Sequence, residues 1–414
     1  MPVGSNLPLR SVILRYPPST IEESEESYQL LELPPEIIKA VEASKGKDKE
    51  SIFPLTIKGK PSDDAVLCTP NSTFQLRTVG ISNSILVCRS PHSSSSTSTE
   101  GGEKDTLQIR DTCHEILECV AISPNLERIR TILKDSAWKG INSSTNNSLG
   151  KRKRGEKENK VKKWTRDQLS SVIQCSEEEL DKGLKERNVI EVNGKMLLLP
   201  PKELKELLSI MLSLLTIHSL DPTNSTIALS QPMLEALQDD HEVDPSITKE
   251  VLTLFGELVK EDGKEEEMWK ADIKRIIREI GKGLLVGVKD KKLDEFEDEW
   301  RNEVGEEWGD EIDTKLLEGE YLLSPKPLTT STTFSSSSSL ISHFPISSLP
   351  LQPSERFSDL FLTRPKWRPE EILPFLKGLT RDGDVKSRDK LVQKFVRVVK
   401  EKDGSMWWYP RRSS

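Results

Sequence analysis

Lys366-Trp367-Arg368-Pro369-Glu370-Glu371-Ile372 and Asp403-Gly404-Ser405-Met406-Trp407-Trp408-Tyr409-Pro410 frame the stretch whose reading decides the fold. The first segment has the chemistry of a helix start. Proline occupies a position whose N–H a helix leaves unused, and two carboxylates follow at the positive end of the helix dipole. A second helix is expected from about Ser387 to Lys402. Asp403-Gly404 then makes a turn, and Ser405 to Tyr409 forms a strand that Pro410 stops. Helix, helix, turn and apolar strand, in that order, predict a winged helix.

The second helix is two-faced. Leu391, Val392, Phe395, Val398 and Val399 fall on one side at helical spacing, and Lys386, Lys390, Lys394 and Arg397 along the other. A core stripe backed by a solvated charged face accounts for such a pattern in an average helix. Here the charge balance points further. Residues 355–414 hold 15 Lys+Arg against 9 Asp+Glu, in a chain of net charge −8. Arg364, Lys366, Trp407, Arg411 and Arg412 flank the basic face, so cations lie near flat rings. Together these nine residues are the expected DNA contacts, with Trp407 either stacking on a base or serving the core. Lysines suit phosphate better than base edges, so sequence-tolerant binding is expected.

The pattern recurs upstream. Trp164, Trp269 and Trp367 each have an acid three residues on (Asp167, Asp272, Glu370) and an apolar residue eight on (Val172, Ile277, Phe375). Each copy closes on a Gly-led apolar strand ended by proline: Gly194–Pro200, Gly319–Pro325 and Gly404–Pro410. Three tandem units of one design are therefore expected.

The expected organisation is α+β and multidomain: a β-rich, barrel-like domain followed by tandem winged helices. The β-rich domain spans 8–122, with a Ser-rich loop at 90–102. Short strands are expected at Ser11–Tyr16, Tyr28–Leu33, Phe53–Lys58, Ala65–Thr69, Phe74–Val79 and Ser84–Cys88, with a helix at Pro35–Ala43. Thr106–Ile122 reads as strand leading into helix. Such a domain has a modest core and strand edges to cover, so it is either a self-sufficient small barrel or a sheet that a partner completes. Leu55, Ile57, Val66, Phe74 and Leu76 are the candidate partner contacts.

The first winged helix spans 123–200, opened by a helix at Pro124–Trp138 and interrupted by a basic insert at 140–163. Lys151, Arg152, Lys153, Arg154, Lys160, Lys162 and Lys163 form two clusters with the spacing of a bipartite nuclear-import signal, and hence a nuclear location. A solvated charge run and a non-specific phosphate-binding loop are the other readings. The second winged unit, 201–325, starts with a linker helix at Pro201–Ser219, apolar on most sides. Residues 239–320 hold 27 acids and 13 bases, a balance that repels phosphate, so a spacer or protein-docking role is expected. A Ser/Thr-rich linker at 326–350 leads to the basic third winged helix at 351–412.

Catalytic signatures are missing. No G-x-x-x-x-G-K-[ST], G-x-G-x-x-G or H-E-x-x-H motif occurs, so neither an enzyme nor a cofactor is expected. The five cysteines have no zinc spacing and read as reduced thiols. Cys113, His114, Glu115 and Cys119 lack the paired ligands of a zinc centre, and no metal is expected. No apolar run approaches a membrane span, and the first residues lack a signal-peptide pattern.

Both ends of the chain carry a resemblance. Tyr28–Leu33, Leu55–Gly59, Asp64–Thr69, Leu76-Arg77 and Ser82–Ser84, with Phe361–Trp367, Glu371-Ile372 and Phe375-Leu376, resemble the Dcc family of sister-chromatid-cohesion proteins. Those proteins are non-ATPase subunits of the alternative, cohesion-type replication factor C clamp loader. The resemblance implies that the β domain interlocks with the small cohesion subunit and the tail of the large ATPase subunit. It also implies that winged helices touch DNA and the catalytic subunit of DNA polymerase epsilon, in a complex that handles the sliding clamp during replication. The alternative, a winged-helix transcription regulator, would need bidentate readers such as Arg or Asn on the second helix. A scaffold that binds only proteins would leave the basic face idle.

Overall fold

The computed structural model describes residues 12–16, 27–44, 55–61, 63–89, 105–141, 162–220, 226–260, 267–324 and 339–411. The chain divides into two compact units at Ile122/Ser123. The fold is mixed α+β, with several small sheets and, among the described residues, twelve α-helices.

The first unit is one sheet and one helix. Its strands are β1 (Val12–Arg15), β2 (Leu30–Glu32), β3 (Thr56–Lys58), β4 (Val66–Cys68), β5 (Thr73–Arg89) and β6 (Asp105–Ala121), with α1 at Pro35–Ser44. They run in the order β1-β6-β5-β4-β3, and β2 also pairs with β6. The expected barrel does not close among the described residues: β3 ends one side of the sheet, and β1 and β2 lie on the other. Two sequence expectations are corrected here. Phe74–Val79 and Ser84–Cys88 belong to the single strand β5, which absorbs the polar residues between them as a register shift between Gly80 and Ile85. Thr106–Ile122 does not turn helical; β6 pairs with β5 from Gln108 to Ala121, and a long ladder partner overrides local preference. The core here is small: Ile37, Leu67 and Phe74, with Leu33, Val41, Leu76 and Cys119 packed against it.

The second unit repeats one order of elements: a helix, a short strand, two helical segments and a hairpin. First come α2 (Arg128–Leu133), α3 (Arg166–Val172), α4 (Glu177–Glu186), β7 (Val189–Val192) and β8 (Lys195–Leu198). Trp164 stands in the short-strand position, its carbonyl accepting the Met196 N–H at 2.8 Å. Capping boxes start both inner helices, Thr165 with Gln168 and Ser176 with Glu179. The expected opening helix, Pro124–Trp138, is only α2 followed by a 3-10 turn at Lys134–Ser136.

Next come α5 (Pro201–His218), β9 (Ile227–Leu229), α6 (Ser230–Asp239), α7 (Pro245–Leu254), β10 (Gly256–Lys260) and β11 (Glu267–Ala271), with sheet order β10-β11-β9. Then follow α8 (Ile273–Leu285), β12 (Lys291–Lys292), α9 (Leu293–Val304), 3-10 turns at Gly309–Glu311 and Thr314–Leu317, β13 (Tyr321–Ser324) and β14 (Leu340–His343), ordered β12-β14-β13. Trp269 therefore lies on a closing hairpin strand. The acid three residues on, Asp272, caps α8, its Oδ1 accepting the Arg275 N–H at 3.2 Å. Residues 340–348, expected within a linker, are structured: Ile341 is fully buried between strands β12 and β13.

The last group is α10 (Pro353–Thr363), Trp367 bridged to Trp408, α11 (Pro369–Ile372) with a 3-10 turn at Leu373–Leu376, α12 (Val385–Phe395), β15 (Val396–Lys400) and β16 (Met406–Pro410). We refer to these four groups as the first to fourth modules.

The second and third modules share one core, in which α5 buries Leu204, Leu207, Leu208, Met211, Leu212, Leu214 and Leu215. Each such side chain contributes about 1.5–3 kcal/mol. Close approach of α8 to α5 requires Gly283, because a Cβ there would meet the Pro201 carbonyl and the Lys205 side chain. Buried indoles satisfy their N–H groups on helix carbonyls: Trp269 on Leu252 at 2.8 Å, Trp300 on Ile277 and Trp367 on Leu360, both at 3.0 Å. Arg275 joins three modules, donating to Leu254 O at 2.7 Å and Lys185 O at 2.8 Å from its place on α8.

Candidate nucleic-acid interface

Helix α12 is set by its ends and its core face. Asp384 caps it, Oδ1 accepting the Ser387 N–H at 3.0 Å, and these contacts hold the carboxyl below its usual range. Val392 is buried, and Phe395 stacks on Phe357 with ring centroids 5.1 Å apart. That anchoring turns Lys386, Lys390 and Lys394 outward, all exposed and one turn apart. The row spans about 12 Å at 1.5 Å per residue.

The helix is shorter than expected. It ends at Phe395, and Val396 adopts extended angles (φ −120°, ψ 140°). Val396, Val398 and Val399 are β-branched and pair with Met406–Pro410, which draws the chain into a hairpin. Arg397 is thus corrected from the helix to β15. It lies opposite Tyr409, its guanidinium 5.9 Å from the ring centroid.

The same hairpin carries Trp407 and Tyr409. Lys366 Nζ stands 4.1 Å and the Arg368 guanidinium 5.3 Å from the Trp407 ring centroid. Glu401 Oε1 accepts from Lys366 Nζ at 2.7 Å and from the Tyr409 hydroxyl at 3.1 Å. The Glu401 hydrogen bond raises the Lys366 pKa. Trp407 is half-buried and donates its indole N–H to Ser405 Oγ at 2.8 Å. A cation already covers its π-system where a base would stack.

Arg368 was missed in the sequence reading. The signal was there: Lys366 and Arg368 alternate with buried Trp367, the period of a strand with one wet side. Two expected contacts work within the protein. Arg364 donates to the Leu323 carbonyl, approaches Glu371 at 3.5 Å and lies 5.0 Å from the Trp367 ring; burial pushes its pKa down. Arg411 donates its Nη1 to the Gln393 carbonyl at 2.7 Å, closing the end of α12. Arg412 lies outside the described residues, as do Lys151, Arg152, Lys153, Arg154 and Lys160 of the import signal. Lys162 and Lys163 are exposed, Lys162 Nζ standing 3.5 Å from the Trp164 ring centroid.

The other modules offer phosphate less. In the first, α4 exposes Glu177, Glu178, Asp181 and Glu186, and Arg166 binds Glu177 at 3.1 Å and Asp181 at 2.8 Å. In the second, α7 packs on β7 of the first module. In the third, two 3-10 turns take the place of that helix, beside a cleft of about 470 Å³ lined by Glu297, Asp310, Glu311 and Asp313 with Lys274 and Arg301.

In the first unit the expected partner contacts separate. Phe74 is buried in its own core and Leu76 packs against it, so these two are corrected to core residues; Val66 is buried as well, outside that cluster. Leu55, next to the edge strand β3, and Ile57 on that strand are exposed, Ile57 at 64%. Val12, Leu14, Tyr16, Tyr28 and Leu31 are exposed on the β1 and β2 side. Cys113, His114, Glu115 and Cys119 lie along β6 rather than at a strand-to-helix junction, and no group of His, Cys, Asp or Glu among the described residues is arranged to hold a metal. No described helix is long and apolar enough to cross a membrane.

The model of the family described as sister chromatid cohesion protein Dcc1 matches residues 28–376, ending before α12. Sister chromatid cohesion protein DCC1 of Xenopus tropicalis is 25% identical over 379 residues, covering 89% of this chain and 86% of the relative. The human protein of that name is 25% identical over 354 residues, covering 84% and 80%. The probable sister chromatid cohesion protein DCC1 of Dictyostelium discoideum is 24% identical over 395 residues, covering 91% and 92%.

Proposed function

The chain belongs to the Dcc1 family of sister chromatid cohesion proteins, and we propose that it is a non-catalytic subunit of an alternative, replication factor C-type clamp loader. In this reading the first unit joins the small cohesion subunit and the large ATPase subunit, the fourth module holds DNA by its phosphates, and another module meets the catalytic subunit of DNA polymerase epsilon. The complex acts on the sliding clamp in the nucleus, during replication and cohesion. We read the four modules as winged helices, one more than the three tryptophan-led copies in the sequence. The sheet orders β10-β11-β9 and β12-β14-β13 support this, since in both the strand that follows the first helix pairs with the last strand.

The observation that carries the DNA part is the placement of Lys386, Lys390 and Lys394 along the outer face of α12, with Arg397 on the strand that follows it and Lys366 and Arg368 at the Trp407 ring of the hairpin. Point charges on flexible stems suit phosphate and carry no base code. The outer residues of α12 include no Asn, and its one arginine, Arg388, lies 3.2 Å from Asp389. The test is the salt dependence of duplex binding by the full chain. Changing Lys386, Lys390 and Lys394 to Ala should flatten the log–log slope by about 2.7, at about 0.9 per phosphate contact. An unchanged slope refutes the assignment. A loss of about a thousandfold on scrambled duplexes would instead favour a sequence-reading regulator.

A further inference from the structure

Helix α12 is reached through a loop that a different module holds. Asp382 sits in the loop Arg381-Asp382-Gly383-Asp384, and its carboxylate is hydrogen-bonded to the Lys182 ammonium of α4, two hundred residues earlier in the chain. The loop is tightly wound: Asp384 N–H reaches Arg381 O at 3.1 Å, Val385 N–H reaches Gly383 O at 2.9 Å, and Gly383 has φ +82°. It leads directly into the Asp384 cap of α12, four residues before Lys386. Lys182 is itself well anchored. Its helix starts in the Ser176–Glu179 capping box and buries Leu180 and Leu184 in the core of the first module.

We propose that Lys182 is a positioning residue for the phosphate-binding face of the fourth module: it neutralises Asp382 and pins the loop that aims α12. The proposal rests on the reading of α12 as the phosphate-binding helix. Both partners are more than half exposed (54% and 57%), so the tie is a modest one that solvent and salt reach. Its effect on binding is electrostatic as much as mechanical. Without Lys182, Asp382 would be a carboxylate with only the weaker influence of Lys377 beside it, four residues before Lys386 in the chain. Asp382 would then repel the phosphates that the lysine row attracts. Its pKa is held low chiefly by the Lys182 hydrogen bond, with Lys377 contributing, in keeping with a carboxylate that stays charged.

The test uses the full chain, a fluorescent duplex and four variants: Lys182→Ala, Asp382→Asn, the two combined, and the swap Lys182→Asp with Asp382→Lys. Lys182→Ala should weaken binding about two- to fivefold, the range of an exposed ion pair. Asp382→Asn loses the pin together with the repelling carboxylate, so it should bind between Lys182→Ala and the parent chain, and the combined variant should match Asp382→Asn. Hydrogen exchange over residues 379–388 should speed up in Lys182→Ala and return towards the parent rate in the swap. If the combined variant remains as weak as Lys182→Ala, Lys182 touches phosphate directly and the proposal is overturned. If exchange in the loop is the same in every variant, it is overturned too. A parent chain that binds no duplex would sink the reading of α12, while the exchange experiment would still decide whether the tie holds the loop.

Discussion

Removing the carboxylate of Glu279 should loosen the junction that joins the first and third modules. Glu279 is 2% exposed. Its Oε2 accepts from Asn188 Nδ2 at 2.7 Å, and its Oε1 lies 2.9 Å from Lys282 Nζ and 3.9 Å from Arg278. The Lys282 side chain is 9% exposed and has one further carboxylate, Glu320, at 3.6 Å. Glu279→Ala therefore leaves a buried ammonium with a more distant counter-charge. It also leaves the Asn188 amide without its acceptor, on a residue whose Oδ1 already lacks a partner among the described residues. Breaking a buried pair from one side costs about 3–5 kcal/mol. Glu320 offsets part of that, so a loss near 3 kcal/mol is expected. The assay is urea unfolding of the full chain, followed by tryptophan fluorescence. Glu279→Gln keeps the acceptor for Asn188 and should lose less. Glu279→Leu with Lys282→Met removes both charges and should recover part of the loss, because the pair's attraction roughly balances its desolvation while the Asn188 amide still lacks its acceptor. A Glu279→Ala loss below about 1 kcal/mol, or a double variant no better than the single one, would refute this reasoning.

Asp244, Asp384 and Asp403 each accept hydrogen bonds from a serine two or three residues on, and each is held below the usual carboxylate range. A depressed folded-state pKa gives stability that is complete above the unfolded value, about pH 4, and is lost as pH falls through the folded value. The Tm difference between the parent chain and Asp384→Ala should therefore be constant from pH 7 to about pH 5 and shrink towards pH 3; a difference that grows on acidification contradicts the capping role. Ile57→Glu, on an exposed edge position, should leave Tm within about 2 °C, since surface changes lie within about 0.5 kcal/mol, yet weaken assembly with partner chains. A large loss of stability in the isolated chain would show that Ile57 belongs to the core.

Local chemistry was legible where one residue type had one use. Pro369 with Glu370 and Glu371, Asp403-Gly404 and the Gly194 turn all lie where their backbone preferences put them. Reading failed where a distant partner decided. Val396 to Val399 continue a helical apolar period, but the strand they pair with, Met406–Pro410, is beyond the window that a helical pattern inspects. The polar run at Gly80–Ser84 reads as a turn, and only the unbroken partner β6 makes it a bulge. Trp269 shares its spacing with Trp164 and Trp367, because Asp272 does start a helix; which module that helix opens depends on β9, a strand of three residues.

At the candidate site the lysine row was legible because helical period and charge coincide. Arg397 and Arg368 were not placed, since their positions depend on where α12 stops and on which side of Trp367 is buried. The candidate partner contacts divided for a similar reason. Alternation identifies one side of a strand, but whether that side is filled from within depends on α1, which brings Ile37 against Phe74 and Leu67 and leaves Ile57 outside.

The account depends most on the open sheet of the first unit being an assembly surface. The direct measurement is size-exclusion chromatography with light scattering on the full chain mixed with the large ATPase subunit and the small cohesion subunit at about 0.15 M salt, near physiological ionic strength. The account predicts one species containing all three chains, lost or weakened by Ile57→Glu. Elution of the chain by itself, with the two other subunits elsewhere, would contradict it.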